Sequence, residues 1–363
     1  MKAVTNACRL LLCTTSYYFD LVTSLSAMCI QGTGELLAFN GYACEHFNRL
    51  NTTERTRVSI DFRMISMRDF LENNDTSVVT RTNPERKALS FRLGSYYSLL
   101  PLGENIMQMR PSTDEQEASA VSAYMRSGGF LTEFTHTRKF EEALSSVIGT
   151  AYCSVVPNGT VAITAALLAC GLDKHSCVLV PTLSMVATAN AVRLMGAEVV
   201  FVDVDPETYT ITPDIVRGVL DSGVAVDAVI HVSLNNRCKD LEGLARLCKS
   251  RKIWLIEDAA QSLGAQHNYQ SIGTFGDIAT FSFSAPKIIT TGQGGCVVTN
   301  SPELGARLKR IRNFGRDRAG VEDYPSFGVN FKFTDVQSVI GLVQLSKLSG
   351  RVQKMKRMWK LYE

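Results

Sequence analysis

Residues 253–295 read IWLIEDAAQSLGAQHNYQSIGTFGDIATFSFSAPKIITTGQGG, and their reading decides the fold. A strand-like apolar run, Ile253 to Ile256, passes into Glu257 and Asp258. A second, Ile278 to Phe283, passes into Ser284-Ala285-Pro286-Lys287. The turn Thr290-Thr291-Gly292-Gln293-Gly294-Gly295 follows, with glycines that permit positive φ and close backbone approach. An acid and a lysine therefore each stand just past the end of a strand. In open α/β sheets, ligands bind outside the carboxyl ends of the strands.

Outward from this stretch, apolar strands alternate with helical stretches. Strands are expected at 177–180, 198–203, 227–232, 253–257, 278–283 and 295–299, and helices near 185–195, 213–220, 239–250 and 302–313. Apolar strands alternating with helices imply an α/β fold with a mainly parallel sheet sandwiched by helices. Upstream, Tyr152 to Pro157 reads as a short strand that opens into Asn158-Gly159-Thr160 and an Ala-rich helix, Val161–Ala169. A helix start with a glycine lets backbone N–H groups reach an anion, so this turn is a candidate phosphate cradle. An ordinary turn and cap would look the same. Residues 114–128 carry helical spacing that ends at Gly128-Gly129.

The lysine and the acid suggest a chemistry. A lysine held at a strand end can form a Schiff base, and an acid there can pair with a protonated pyridine nitrogen. Together they hold pyridoxal phosphate. Such a lysine must be fixed and partly desolvated so that its neutral amine can attack. Asp258 could equally be a simple helix cap, and Ser282 a strand serine bonded to backbone.

IEDAAQSLGA, GDIATFSF and PKIITTGQGG resemble the DegT/DnrJ/EryC1/StrS family of sugar aminotransferases, which are fold-type I enzymes dependent on pyridoxal 5'-phosphate. The resemblance runs from about Glu115 to the end of the chain. It implies the fold-type I large domain, with a seven-stranded sheet. It makes Lys287 the catalytic lysine, which also moves the proton as a general base. It places Asp258 on the pyridine nitrogen, Gln261 beside the same ring, and Ser282 with Gly159 and Thr160 on the phosphate. Relatives that carry histidine at the lysine position are dehydratases, so Lys287 implies transamination. The resemblance also brings in Ser127–Thr132 as a segment entering the active site, with the Phe140-Glu141 helix after it. Asn330, in Gly328-Val329-Asn330-Phe331-Lys332, resembles a segment that reaches the neighbouring subunit's cofactor, which implies a homodimer. Three positions depart from the family pattern. Met185 stands where relatives stack an aromatic on the ring, although methionine can pack there. Gln293 replaces a usual glutamate, and the chain stops at Glu363, where relatives begin a small C-terminal domain.

Residues 34–63 carry strand-like alternation at Leu36, Ala38 and again at Val58, Ile60 and Phe62. His46 followed by Arg57-Val58-Ser59 resembles the C-terminal end of a 2-oxoglutarate/iron oxygenase-like barrel. A facial triad needs two histidines and a carboxylate. No upstream His-x-Asp or His-x-Glu precedes His46, so a β-rich barrel remnant without iron is expected. The domains expected are thus a partial barrel-like segment over 1–63, a linker over 64–114, and the aminotransferase large domain over 115–363.

Composition narrows the classes. Of 363 residues, 45% are hydrophobic and 20% charged, as in ordinary globular chains. A net charge of +3 makes no case for nucleic acid or an acidic membrane surface. None of the ten cysteines makes a C-x-x-C, so reduced thiols in a cytoplasmic protein are expected, with no metal site. Arg9 before Leu10-Leu11-Leu12 gives a faint signal-peptide look, but the apolar run is short and Asp20 interrupts the residues after it. No stretch is long and apolar enough to span a membrane. The function expected is transfer of an amino group, with glutamate as donor, to a keto group on a nucleotide-linked deoxysugar. The alternative is a non-catalytic truncated fusion product or a regulatory or scaffold relative.

Overall fold

The computed structural model describes residues 111–318 and 320–362, together with three short strands nearer the N-terminus. The chain divides into two units, Met1–Ile106 and Met107–Glu363. In the first, β1 (Arg9–Leu11), β2 (Ala27–Gln31) and β3 (Glu35–Phe39) pair antiparallel in the order β1-β3-β2. β3 covers the first alternation expected near Leu36 and Ala38. The second, at 58–62, and the His46–Arg57–Ser59 set lie outside the described residues, as does the linker apart from 111–114.

The second unit opens with α1 (Glu115–Arg126), whose start is fixed by a capping box between Asp114 and Glu117. α2 (Thr135–Ile148), β4 (Tyr152–Val156) and α3 (Gly159–Ala169) follow. Then come β5 (Cys177–Pro181), α4 (Val186–Leu194), β6 (Glu198–Val202), α5 (Pro213–Asp221) and β7 (Ala228–Val232). α6 (Leu241–Arg251), β8 (Trp254–Asp258), the small hairpin of β9 (Gln266–His267) and β10 (Gln270–Ser271), β11 (Ile278–Ser282) and β12 (Gly295–Thr299) continue it. α7 (Pro302–Ile311), α8 (Asp335–Ser346) and α9 (Leu348–Tyr362) complete the order. The helix starts are written locally. Asn158, Thr212, Asp240, Ser301 and Thr334 each cap a helix with a side-chain oxygen, and Pro213 and Pro302 begin theirs.

Seven strands form one sheet in the order β4-β12-β11-β8-β7-β5-β6. β11, β8, β7, β5 and β6 run parallel, and β12 is antiparallel to both its neighbours. β4 therefore points the same way as the parallel five. Six strands end on one edge of the sheet, and the strands expected from residue 152 onward all lie within it.

Both faces of the sheet are covered, which is why its strands read as apolar throughout. On one face, Val178, Val180, Ile230, Ile256, Ile278 and Val297 pack on α3, α4 and α7. On the other, Val155, Phe281, Cys296 and Val298 meet Phe140, Leu144 and Ile148 of α2, while Leu179, Val229 and Leu255 meet α5 and α6. Each fully buried phenylalanine, such as Phe140 or Phe281, contributes about 1.5–3 kcal/mol of burial. Glu257 is also fully buried, on the α5/α6 side. Its carboxylate accepts the N–H groups of Gly273, Phe275 and Gly276 at 2.7–2.8 Å, so it braces the loop before β11.

His231 lies beside Glu257 in the register of β7 and β8, fully buried, and neither ring nitrogen has a hydrogen-bond partner among the described residues. Burial pushes its pKa down from 6.5 to about 4. Between those values the unfolded imidazole binds a proton that the folded one refuses, so stability falls as pH falls. His231→Leu is expected to flatten the loss of stability between pH 6.5 and about pH 4, read from urea unfolding midpoints across that interval.

Candidate active site

Strand direction assembles the site. Asn158, Pro181, Asp258 and Ser282 lie at or just past the carboxyl ends of β4, β5, β8 and β11, all on one edge of the sheet. Asp258 shares its strand face with Ile256, so its side chain points toward α3 and α4. There Thr188 of α4 donates its hydroxyl to Asp258 Oδ2 at 2.8 Å, and the Ala260 N–H donates to Oδ1 at 3.2 Å. Ser184 and Thr188 share a hydrogen bond of 2.8 Å between their hydroxyls, which extends the chain of contacts to the turn before α4.

The electrostatics of the pair are unbalanced in a useful way. Burial raises the pKa of Asp258; Thr188, the Ala260 N–H and the nearby Lys287 charge pull it down without cancelling that rise. Burial lowers the pKa of Lys287, with Asp258 opposing. A buried carboxylate with incomplete compensation favours a further cation beside it. A partly desolvated lysine favours its neutral, nucleophilic amine.

Another side of the site is set by the start of α3. Asn158 takes the Val161 N–H on its side chain at 2.9 Å and the Ala162 N–H on its carbonyl at 3.0 Å. Gly159 and Thr160 supply the other N–H groups that a helix start leaves without intrahelical partners. A Cβ on Gly159 would stand 3.0 Å from Ser282 Cβ and 3.2 Å from its Oγ, so a glycine lets the helix start approach β11 closely. Ser282 Oγ lies 3.3 Å from Ser284 Oγ. The expected trio of Gly159, Thr160 and Ser282 thus stands at one place.

The remaining expected residues are placed differently. Gln261 is half-buried, and its side-chain oxygen accepts the Asn235 N–H at 2.7 Å. Met185 sits just before α4 and is 66% exposed. Asn330 is exposed and pairs with Asn313 in an isolated bridge, and no bond joins it to the Lys287–Asp258 group among the described residues. Sequence reading passed over Thr188. A threonine one turn into a helix carries no signal by itself, and only the packing of α4 on β8 gives it a role. The same holds for Asp335 at the start of α8. Its buried carboxylate accepts from the N–H groups of Phe134, His136 and Thr137 and from the Thr137 hydroxyl, at 2.7–3.0 Å. It caps α2, whose own cap position holds Phe134 and makes no side-chain bond.

A helix-covered α/β sheet with a desolvated lysine, a buried aspartate and a helix-start cradle at its strand ends defines a fold-type I large domain. The chain belongs to the DegT/DnrJ/EryC1/StrS aminotransferase family, whose profile matches residues 111–363. Over 255 residues it is 33% identical to GDP-perosamine synthase of Escherichia coli O157:H7, covering 70% of this chain and 69% of that protein. DesI, solved in the presence of its TDP-sugar product, superposes with a TM-score of 0.60 at 28% identity, over 67% of this chain and 60% of that one. NtdA of Bacillus subtilis, solved with bound cofactor PMP, gives a TM-score of 0.59 at 28% identity, over 65% of this chain and 53% of that one. The chain spans about two thirds of the length of the curated relatives it matches. The family match begins at residue 111 and lends no support to an oxygenase-like barrel remnant over 34–63.

Thr188→Val removes a donor from a buried carboxylate. It is expected to cost about 1–3 kcal/mol of stability, measured by urea denaturation at neutral pH, with Ser184→Ala costing less.

Proposed function

We propose that this chain is a pyridoxal 5'-phosphate-dependent aminotransferase that moves an amino group from glutamate to a keto group on a nucleotide-linked deoxysugar. The observation that carries this reading is the gathering on one edge of the sheet of the buried Asp258 carboxylate held by Thr188, the Lys287 turn after the adjacent parallel strand, and the α3 start packed on Ser282; burial raises the pKa of Asp258 and lowers that of Lys287. The residues fit the cofactor. Asp258 would face the ring nitrogen and keep it protonated, and the cation there would supply the compensation the carboxylate lacks. The α3 start, with Gly159 and Thr160, and the Ser282 hydroxyl would hold the phosphate. Gln261 would lie beside the ring and Met185 would cover it. Bound there, the cofactor supplies an electron sink and carries the amino group between donor and acceptor.

This chain's own residues do the rest. Lys287, its amine kept neutral by desolvation, would hold the cofactor and would act as the general base that moves the proton at the donor's Cα. Thr188 orients Asp258. Relatives that are GDP-perosamine synthases and a solved structure holding a TDP-sugar product support a nucleotide sugar as the acceptor. We further propose a homodimer in which Asn330 reaches the neighbouring copy's site, and a cytoplasmic location. No described helix is long and apolar enough to cross a membrane. The division into 1–63, 64–114 and 115–363 is proposed on the same footing.

Two measurements test the reading. The purified chain with pyridoxal phosphate is expected to show a visible absorbance band that borohydride fixes on Lys287 and glutamate bleaches, while Lys287→Ala shows neither. A free-aldehyde spectrum identical in both would sink the enzyme reading and favour a non-catalytic relative. In the second, Gly159→Ala is expected to weaken pyridoxal phosphate binding by roughly tenfold or more, because the added methyl narrows the space beside Ser282. Gly218→Ala, whose added methyl would meet nothing within 4 Å, serves as the control and should bind as the unmodified chain does.

A further inference from the structure

Lys287 stands on a turn that is held from outside. At its base, the Phe283 carbonyl accepts from the Thr290 hydroxyl and from the Thr291 N–H, both at 3.0 Å. Two other backbone groups, within three residues of the lysine, are taken by side chains far along the chain. The Arg351 guanidinium donates to the Ile288 carbonyl at 2.7 Å and to Gln344 Oε1 at 2.6 Å. Gln344 Oε1 also accepts the Thr290 N–H at 3.1 Å.

These two residues are themselves anchored. Gln344 is fully buried, and its Nε2 donates to the Ser112 carbonyl at 2.8 Å and to Glu117 Oε1 at 2.7 Å. Both hydrogens and both lone pairs of that amide are used. Arg351 donates its second nitrogen to Ser112 at 2.7 Å, and Glu117 is paired with Lys347 at 2.7 Å. Gln344 is thus the buried centre of the network with its amide fully used, and losing one of its partners leaves a buried group unpaired at high cost. This network joins the start of α1, the C-terminal end of α8 and the start of α9, yet it ends on the backbone of the lysine turn.

We propose that Gln344 and Arg351 are positioning residues for Lys287. They hold the turn at Ile288 and Thr290, and so present the lysine amine at one reach and one angle. The inference rests on the lysine chemistry proposed above. It acts through backbone geometry, since reacting groups displaced by about 1 Å lose on the order of a hundredfold in rate.

The test uses the full chain with Arg351→Met and Arg351→Lys, and two readouts. One is amide hydrogen exchange in residues 284–293, with residues 254–258 as an internal reference. The other is the rate at which pyridoxal phosphate becomes fixable by borohydride on Lys287, followed by mass spectrometry. Arg351→Met is expected to speed exchange in the turn, and to slow fixation, by on the order of tenfold each, while the reference strand exchanges as before. Arg351→Lys, which keeps one donor for the Ile288 carbonyl, should recover part of both. Wild-type exchange in Arg351→Met overturns the proposal, and so does faster exchange with fixation at the wild-type rate. If Arg351→Met does not fold, the smaller shift in Arg351→Lys decides, and wild-type values in both readouts overturn it. An unmodified chain that protects the turn but fixes no pyridoxal phosphate overturns the reading of the site. The exchange comparison then decides the hold on the turn by itself.

Discussion

A carboxylate buried at the end of a strand needs hydrogen-bond donors, and Asp258 takes one of its donors, and its lysine neighbour, from elements distant in sequence. Thr188 comes from α4, across the face of the sheet, and Lys287 from the turn after the neighbouring strand β11. Lys287 would not be in reach if β8 and β11 were not parallel and adjacent, and neither neighbour would matter if the site were wet. Water would screen the charge and solvate the amine, and Lys287 would be an ordinary protonated surface lysine.

That constraint explains the layering around the site. The α3/α4 side of the sheet must be dry enough to desolvate Lys287, yet open at the strand ends to admit a ligand. Small residues achieve the first. The Ala-rich α3 and Gly159 bring the helix close to β11, and Gly295 lets β12 lie where a Cβ would meet the Phe281 carbonyl. The shared direction of six strands achieves the second, because their ends leave a common edge where loops converge. The opposite face carries buried polar groups as well, but they serve the loops. Glu257 braces the chain before β11, one residue away from Asp258 and facing the other way.

The family assignment and the site geometry bear on each other without duplicating. Membership says what chemistry relatives of this fold perform. The geometry says which groups of this chain share one edge of the sheet. Lys287, Asp258, Ser282, Gly159 and Thr160 stand together. Asn330 stands apart from them and pairs with Asn313. The clasp from α8 and α9 adds a contact that neither consideration contains: the lysine turn is held by residues more than fifty positions further along.

Much of this was legible in the sequence, for a physical reason. Strands buried on both faces must be apolar along their length, so β5, β7, β8, β11 and β12 announce themselves. Helix starts need local oxygen caps, so Asn158, Thr212, Ser301 and Thr334 mark theirs. Asp258 could be read because it ends such a strand, and Lys287 because it lies in the turn that follows another. Contacts between elements could not be read. Thr188 acquires its role from the packing of α4 on β8, Asp335 from capping a helix two hundred residues upstream, and Gln344 and Arg351 from reaching back to the lysine turn. No local pattern encodes these, because the partner that gives each side chain its meaning is brought to it only by the tertiary fold. The sequence determined the elements and the chemistry-bearing residues at their ends; the tertiary structure decided which of them meet, since that depends on strand order and helix packing.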